Sequence, residues 1–290
     1  MPLRRLIMLT TLAMLAFAGN SWLCRAALAH TTIDPASFTA IRLLSGAGVL
    51  GFVAWRWRRP HAGQGNWLSG LALFAYAACF AFAYVSLPAA TGALLLFGAV
   101  QVTMIGHGLW RGERLRGAQT VGVGLALAGL TGLLWPGLSA PPLAAAALML
   151  AAGVAWGAYS LRGKGHGDPT RVTAGNFLWS LPFALALALI LAALTLAGFT
   201  PNSARLDGAG LTYALASGAL TSGIGYAIWY SVLPALSSAS AATIQLSVPL
   251  ITALGGVVLL DEALSARLLL AAAAIVGGIA LVIRAQAVRG

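Results

Sequence analysis

The sequence predicts an all-α integral membrane protein: ten transmembrane helices arranged as two inverted five-helix repeats. Three observations carry that reading. Of 290 residues, 60% are apolar and 8% charged, with a mean hydropathy of +0.89, about a third of the usual charge complement. The basic residues gather in alternate connections between apolar runs, and several short motifs of the first half recur in order in the second.

A helix rising ~1.5 Å per residue needs about 20 residues to cross ~30 Å of hydrocarbon. Apolar runs bounded by Arg, Pro, Gly and polar clusters place the first five spans at Leu6 to Leu28, Pro35 to Trp55, Trp67 to Leu87, Ala90 to Trp110 and Ala118 to Trp135. The second five run Leu143 to Leu161, Val172 to Ala197, Gly208 to Leu233, Ala239 to Leu260 and Ala266 to Ile283. Arg4, Arg5 and the Ala27-Leu28-Ala29 triplet also imitate a secretory signal and its cleavage site, but removing that segment would break the repeat.

Thirteen of the seventeen basic residues fall at the chain ends and in alternate connections. The opposite connections hold only Arg205 and Arg267, while Arg25 and Arg42 lie within spans. By the positive-inside rule both termini and the basic connections are cytoplasmic. The net charge of +11 is therefore not a nucleic-acid patch, which would need its cations on one solvated face. Cys24 and Cys79 both sit in apolar stretches as free thiols.

Ala18-Gly19-x-x-Trp22 returns as Ala152-Gly153-x-x-Trp156, and Thr39-Ala40 as Thr173-Ala174, at one offset of 134 residues. Tyr84-Val85-Ser86-Leu87-Pro88 returns as Tyr230-Ser231-Val232-Leu233-Pro234. Gly112-Glu113-Arg114-Leu115 is matched by Asp261-Glu262-Ala263-Leu264. The halves divide at 1–138 and 139–290. Because five is odd, the second copy enters from the opposite side, the geometry of alternating access around one central site.

These residues resemble the ten-helix EamA-type members of the drug/metabolite transporter superfamily. The likeness rests on Ala18 to Trp22 with Arg25, on Phe38 to Arg42, and on the two acidic-Leu motifs ending at Leu115 and Leu264. The Ala-Gly-Asn-Ser start followed by Leu23-Cys24-Arg25 is most similar to bacterial exporters of amino acids, the broad aromatic branch included. The resemblance implies a central cavity and export of amino acids or related metabolites. One departure is that many relatives carry a proline mid-way in both the fourth and ninth helices, whereas here Pro249 is matched by Val100.

Polar groups inside spans are costly and mark function by default. The candidates for solute contact are Asn20, Gln101, Asn176 and Gln245 together with the aromatic Tyr76, Phe80, Tyr84, Trp156, Tyr159, Trp179 and Tyr226. Tyr76, Phe80 and Tyr84 share one helical face, which either lines a cavity or, as such stripes usually do, faces lipid or packs. Arg25 and Arg42, toward the outer ends of their helices, either snorkel to the interface or contact an anion or backbone carbonyl. Pro249 is expected to kink the ninth helix, as a hinge or solute contact or as an ordinary kink.

All six acidic residues fall in connections or at span ends, so a proton antiporter built on a membrane carboxylate has no obvious carrier. A facilitative carrier of neutral or zwitterionic solutes is favoured; the alternative is proton-coupled export of lipophilic drugs or cations. No cofactor, nucleotide or metal motif is present. A Ser/His hydrolase would need Ser21 or Ser160 beside His107, and Ser21 and His107 lie toward opposite faces. The chain thus reads as a transporter and not an enzyme, its partners the small solute and the bilayer, working as a monomer.

Overall fold

The computed structural model describes residues 2–56, 64–112, 117–137, 140–163, 168–198, 206–236 and 244–287, and all regular structure among them is helical. The first set comprises α1 (Leu3–His30), α2 (Pro35–Arg56), α3 (Trp67–Tyr84), α4 (Ala89–Trp110) and α5 (Ala118–Leu134). The second comprises α6 (Leu143–Arg162), α7 (Pro169–Leu196), α8, α9 (Ser247–Leu260) and α10 (Ala266–Ala287). α8 is composite: α-helical over Gly208–Ala216, π-helical over Ser217–Ile224 and α-helical again over Gly225–Val232. Seven helices are long and apolar enough to cross a membrane, and α5 and α9 are shorter apolar helices. The chain is a multi-pass membrane protein.

The scarce carboxylates explain where the helices begin. Asp34 accepts from the Ala36 and Ser37 N–H groups, Asp168 from Thr170 and Arg171, and Asp207 from Gly210. Each satisfies first-turn donors that hydrocarbon would leave orphaned. Asn66 does the same for Ser69 at the start of α3. Asp261 ends α9 in the left-handed region with φ 52°, a conformation that Asp tolerates better than bulkier residues. Glu113, Arg114 and Leu115 of the matching motif lie outside the described residues.

Asp207 also accepts from the Thr32 N–H at 2.8 Å and hydroxyl at 3.0 Å, tying the α1–α2 connection to α8. The Gly210 N–H first, and the Thr31 and Thr32 donors after it, hold its carboxyl at about 2 against an ordinary 3.8. A depressed pKa contributes stability that is complete above the unfolded value and is lost as pH falls through the folded one. Asp207→Asn is therefore expected to flatten the fall in melting temperature between about pH 4 and pH 2, read by thermal denaturation across that range.

Packing follows an exchange pattern. α1 packs on α8 and α9, as α6 packs on α3 and α4; α2 meets α7 and α8, as α7 meets α2 and α3; α5 pairs with α10. Swapping the two sets of five maps this pairing onto itself. Small residues permit the closest approaches: a β-carbon on Gly218 would strike the Arg42 carbonyl and the Ser45 hydroxyl, so α2 and α8 touch backbone to backbone there. α1 supplies Ala13, Ala18, Asn20, Ser21 and Cys24 to the buried interior. Leu185, Leu189, Ile190 and Leu196 of α7 face outward, an apolar surface that lipid covers.

Two expectations about helix geometry change. Regular α9 begins at Ser247, after a short turn of helix at 244–245 and a break at Leu246; the stretch expected from Ala239 lies partly outside the described residues. Pro249 consequently stands in the first turn of α9 and not mid-helix. The N–H that proline lacks would have bonded the Gln245 carbonyl, so the interruption falls just ahead of it. Among the described residues it is α7 that carries an internal proline, Pro182.

Candidate functional site

A cavity lies between the two sets of helices. The first set lines it with Phe17, Asn20 and Ser21 of α1, Tyr76 and Phe80 of α3, and Leu96 and Phe97 of α4. The second contributes Trp156 and Ser160 of α6, Thr221, Ser222, Tyr226, Trp229 and Tyr230 of α8, and Gln245 ahead of α9. Its volume is about 60 Å³, room for a few waters. A solute larger than that requires its aromatic walls to part.

One wall is a polar network. The Asn20 amide donates to the Tyr76 hydroxyl at 3.3 Å, and its carbonyl accepts from Ser217 at 2.7 Å and Thr221 at 3.4 Å. The Arg42 guanidinium donates through Nη2 to Tyr76 at 3.1 Å and through Nε to Ser222 at 3.2 Å. It also lies 5.1 Å from the ring centroids of both Tyr76 and Phe80, within cation–π range. Thr221 and Ser222 belong to the π-helical stretch of α8. Such stretches recur at functional sites because the wider turn redirects side chains.

The other wall is aromatic. Trp156 stands 4.8 Å from Tyr76 and 5.4 Å from each of Tyr159 and Tyr226, and Phe17 meets Tyr226 and Trp229 edge-on. The cavity extends from Asn20 and Phe80 at mid-bundle to Ser160 and Gln245, close to where α6 ends and α9 begins.

The opposite end is shut. Arg25 donates through Nε to Glu262 Oε1 at 3.0 Å and through Nη1 to the Tyr84 and Val85 carbonyls. Glu262 Oε2 in turn accepts the Ala89 N–H at 2.7 Å. This carboxylate thereby caps α4, whose Pro88 offers no side-chain cap. The Trp22 indole donates to the Thr252 carbonyl, and its ring fills the space a β-carbon on Gly255 would need. These contacts join α1, α3 and α4 to the α9–α10 segment. At the far end Arg162 donates to Ser69 and Asn66, and the Asn66 N–H donates to the Asn176 carbonyl oxygen.

Of the sequence candidates, Asn20, Tyr76, Phe80, Trp156, Tyr226 and Gln245 line the cavity. Tyr84 and Tyr159 are buried behind it: Tyr84 stacks edge-on against Phe80 and donates to the Ala89 carbonyl, while Tyr159 donates to Thr173 and accepts from Asn176. Asn176 is a tie between α7, α6 and the start of α3, away from the cavity. Gln101 is buried elsewhere, beside an apolar pocket between α4, α5 and α10. Trp179 faces outward, 49% exposed, against a groove between α2 and α7; one face of α7 does not carry both Asn176 and Trp179 inward. Arg25 has the protein's own Glu262 as its anion. Arg42 does not snorkel, being 2% exposed.

Sequence reading passed over Phe17, Trp229, Thr221 and Ser222. The serine and threonine inside a span were the available signal, since hydroxyls in hydrocarbon need partners. Among the described residues no group of three or more His, Cys, Asp or Glu is placed to hold a metal.

A helical membrane bundle whose two similar halves enclose a small cavity closed at one end defines the class of small-molecule membrane transporters. The chain belongs to the EamA-like transporter family, whose model matches residues 4–135 and again 143–284. It is 57% identical over 284 residues to PA1977 of Pseudomonas aeruginosa, described as an uncharacterized protein, with 98% of this chain and 96% of that one covered. A solved crystal structure aligns with a TM-score of 0.66 over 98% of both chains at 23% identity, a likeness of fold alone. Membership places the chain within the drug/metabolite transporter superfamily.

Proposed function

We propose that this protein exports amino acids, aromatic ones among them, or related small metabolites across the bacterial inner membrane by alternating access. The observation that carries the reading is the central cavity: aromatic and hydroxyl side chains from both five-helix sets converge on it, and no carboxylate stands among its described lining residues. Ten crossings in two inverted repeats, divided at 1–138 and 139–290, account for the exchange pattern of helix packing. With the basic connections and both termini in the cytoplasm, the cavity extends toward the cytoplasm and the Arg25–Glu262 clamp closes the periplasmic end. Transport is facilitative, and the monomer holds the whole pathway.

The test is uptake of labelled phenylalanine, threonine and tetraphenylphosphonium into proteoliposomes with and without a pH gradient. Amino-acid flux indifferent to the gradient is expected. Flux of the cation alone, or flux that requires the gradient, would overturn the reading in favour of proton-coupled export of lipophilic cations.

A further inference from the structure

We propose that Arg42 is the counter-charge for a monocarboxylate, and that the cavity recognises its solute by that carboxylate and not by an amine. The inference rests on the transport reading above and narrows its solute class. Arg42 is buried two turns into α2 with 2% of its surface exposed. Its partners are neutral: Nε reaches the Ser222 hydroxyl, Nη2 the Tyr76 hydroxyl, and Nη1 is buried with no hydrogen-bond partner at all. The ion pair found among the described residues belongs to Arg25 and Glu262.

A guanidinium withdrawn from water is retained at large cost unless an anion and a full set of acceptors complete it. In a membrane such a residue marks a ligand path by default. The partners of Arg42 point to the central cavity: Tyr76 and Ser222, the two side chains it holds, both line it. Arg42 stands directly behind them, so a solute meets its open N–H edge once these walls part. The planar fork of arginine suits a carboxylate, which offers two coplanar oxygens.

Charge counting sets the class of ligand. One guanidinium faces no carboxylate among the described lining residues, so a single negative charge neutralises the site. A dianion such as phosphate leaves excess negative charge in low dielectric, and a cation adds a second positive one. The remaining wall, with Trp156, Tyr226 and Trp229, suits an apolar body. The ammonium of an amino acid finds ring faces and hydroxyls but no acid, so it contributes little to recognition. An acid that lacks the amine is accepted as well as the amino acid itself.

The experiment is thermal stabilisation of the purified full chain in detergent by 3-phenylpropionate, phenylalanine, phenethylamine and inorganic phosphate, each titrated. The two carboxylates are expected to raise the melting temperature with apparent affinities within about fivefold of each other, and phenethylamine and phosphate to leave it unchanged. Arg42→Met is expected to weaken both carboxylates by at least about tenfold. Arg42→Lys, which keeps the charge and loses the fork, is expected to keep the preference for the acid at reduced affinity, and decides the matter if the methionine variant does not fold. Stabilisation by phenethylamine equal to that by the acids overturns the inference, as does no shift with either carboxylate, or an unchanged shift in the Arg42 variants. Carboxylate-dependent stabilisation without flux in proteoliposomes would instead sink the transport reading and leave Arg42's role standing.

Discussion

Glu262→Ala is expected to unlatch the closed end of the cavity. Its two oxygens hold two different elements, Arg25 on α1 and the first N–H of α4, and the pair is only 19% and 12% exposed. Exposed pairs contribute up to about 1 kcal/mol and loss of one partner from a buried pair costs about 3–5 kcal/mol, which puts this partly buried clamp near 2 kcal/mol. If the clamp closes one state of a two-state carrier, its loss shifts that equilibrium roughly 30-fold toward opening. The reporter is a cysteine at Ser21, on the cavity wall, in a chain with Cys24 and Cys79 replaced by alanine. A membrane-impermeant maleimide added on the Arg25 side is expected to label it at least about tenfold faster in Glu262→Ala. Arg25→Lys retains the charge but gives up the fork that also reaches the Tyr84 and Val85 carbonyls, and should fall between the two. Labelling rates equal to the parent would show that the clamp holds the fold and not a gate.

That clamp shows how far the sequence could be read. The repeated acidic-Leu motif placed Glu262 at the end of a span, but its partner lies 237 residues away on α1, and no local pattern encodes such a pairing. Hydropathy located the helices because bilayer thickness fixes the length of an apolar run. Helical periodicity put Tyr76, Phe80 and Tyr84 on one face without saying which way it points, and in the structure all three are buried. In α8 the repeat marked Tyr226, which lines the cavity, but no motif marked Thr221 or Ser222, and because the Ser217–Ile224 stretch is π-helical a spacing of 3.6 residues would not have told which of its side chains face inward. Helical spacing failed for Asn176 and Trp179, read as sharing one face: Asn176 is buried and Trp179 is exposed, because residues three apart are neighbours on a helix without sharing its buried side. Arg42 was ambiguous from sequence because snorkelling and burial are both available to a cation near a span end. The hydroxyls that decide for burial come from Tyr76 and Ser222, 34 and 180 residues away.

The same network carries the second large effect, expected for Tyr76→Phe. The Tyr76 hydroxyl accepts from both the Asn20 amide and Arg42 Nη2, and removing one oxygen takes the acceptor from both donors in the buried centre of the bundle. A hydrogen bond to a charged group is worth about 1.5–3 kcal/mol, and a buried donor left without a partner adds its own desolvation cost. The substitution should therefore destabilise the folded chain by about 3 kcal/mol or more while leaving the ring contacts with Phe80 and Trp156 in place. Tyr159→Phe is the matched control. Its hydroxyl makes contacts of 3.4 Å and 3.5 Å with neutral partners, near the limit of useful geometry, so its loss should cost under about 1 kcal/mol. Melting temperatures of the two variants in one detergent give the comparison, and solute flux gives a second reading, because Tyr76 lines the cavity and Tyr159 does not. A Tyr76→Phe chain as stable as Tyr159→Phe would mean that Arg42 has another acceptor within reach, and that the charge at the centre of the bundle is better compensated than the Tyr76 and Ser222 hydroxyls alone allow.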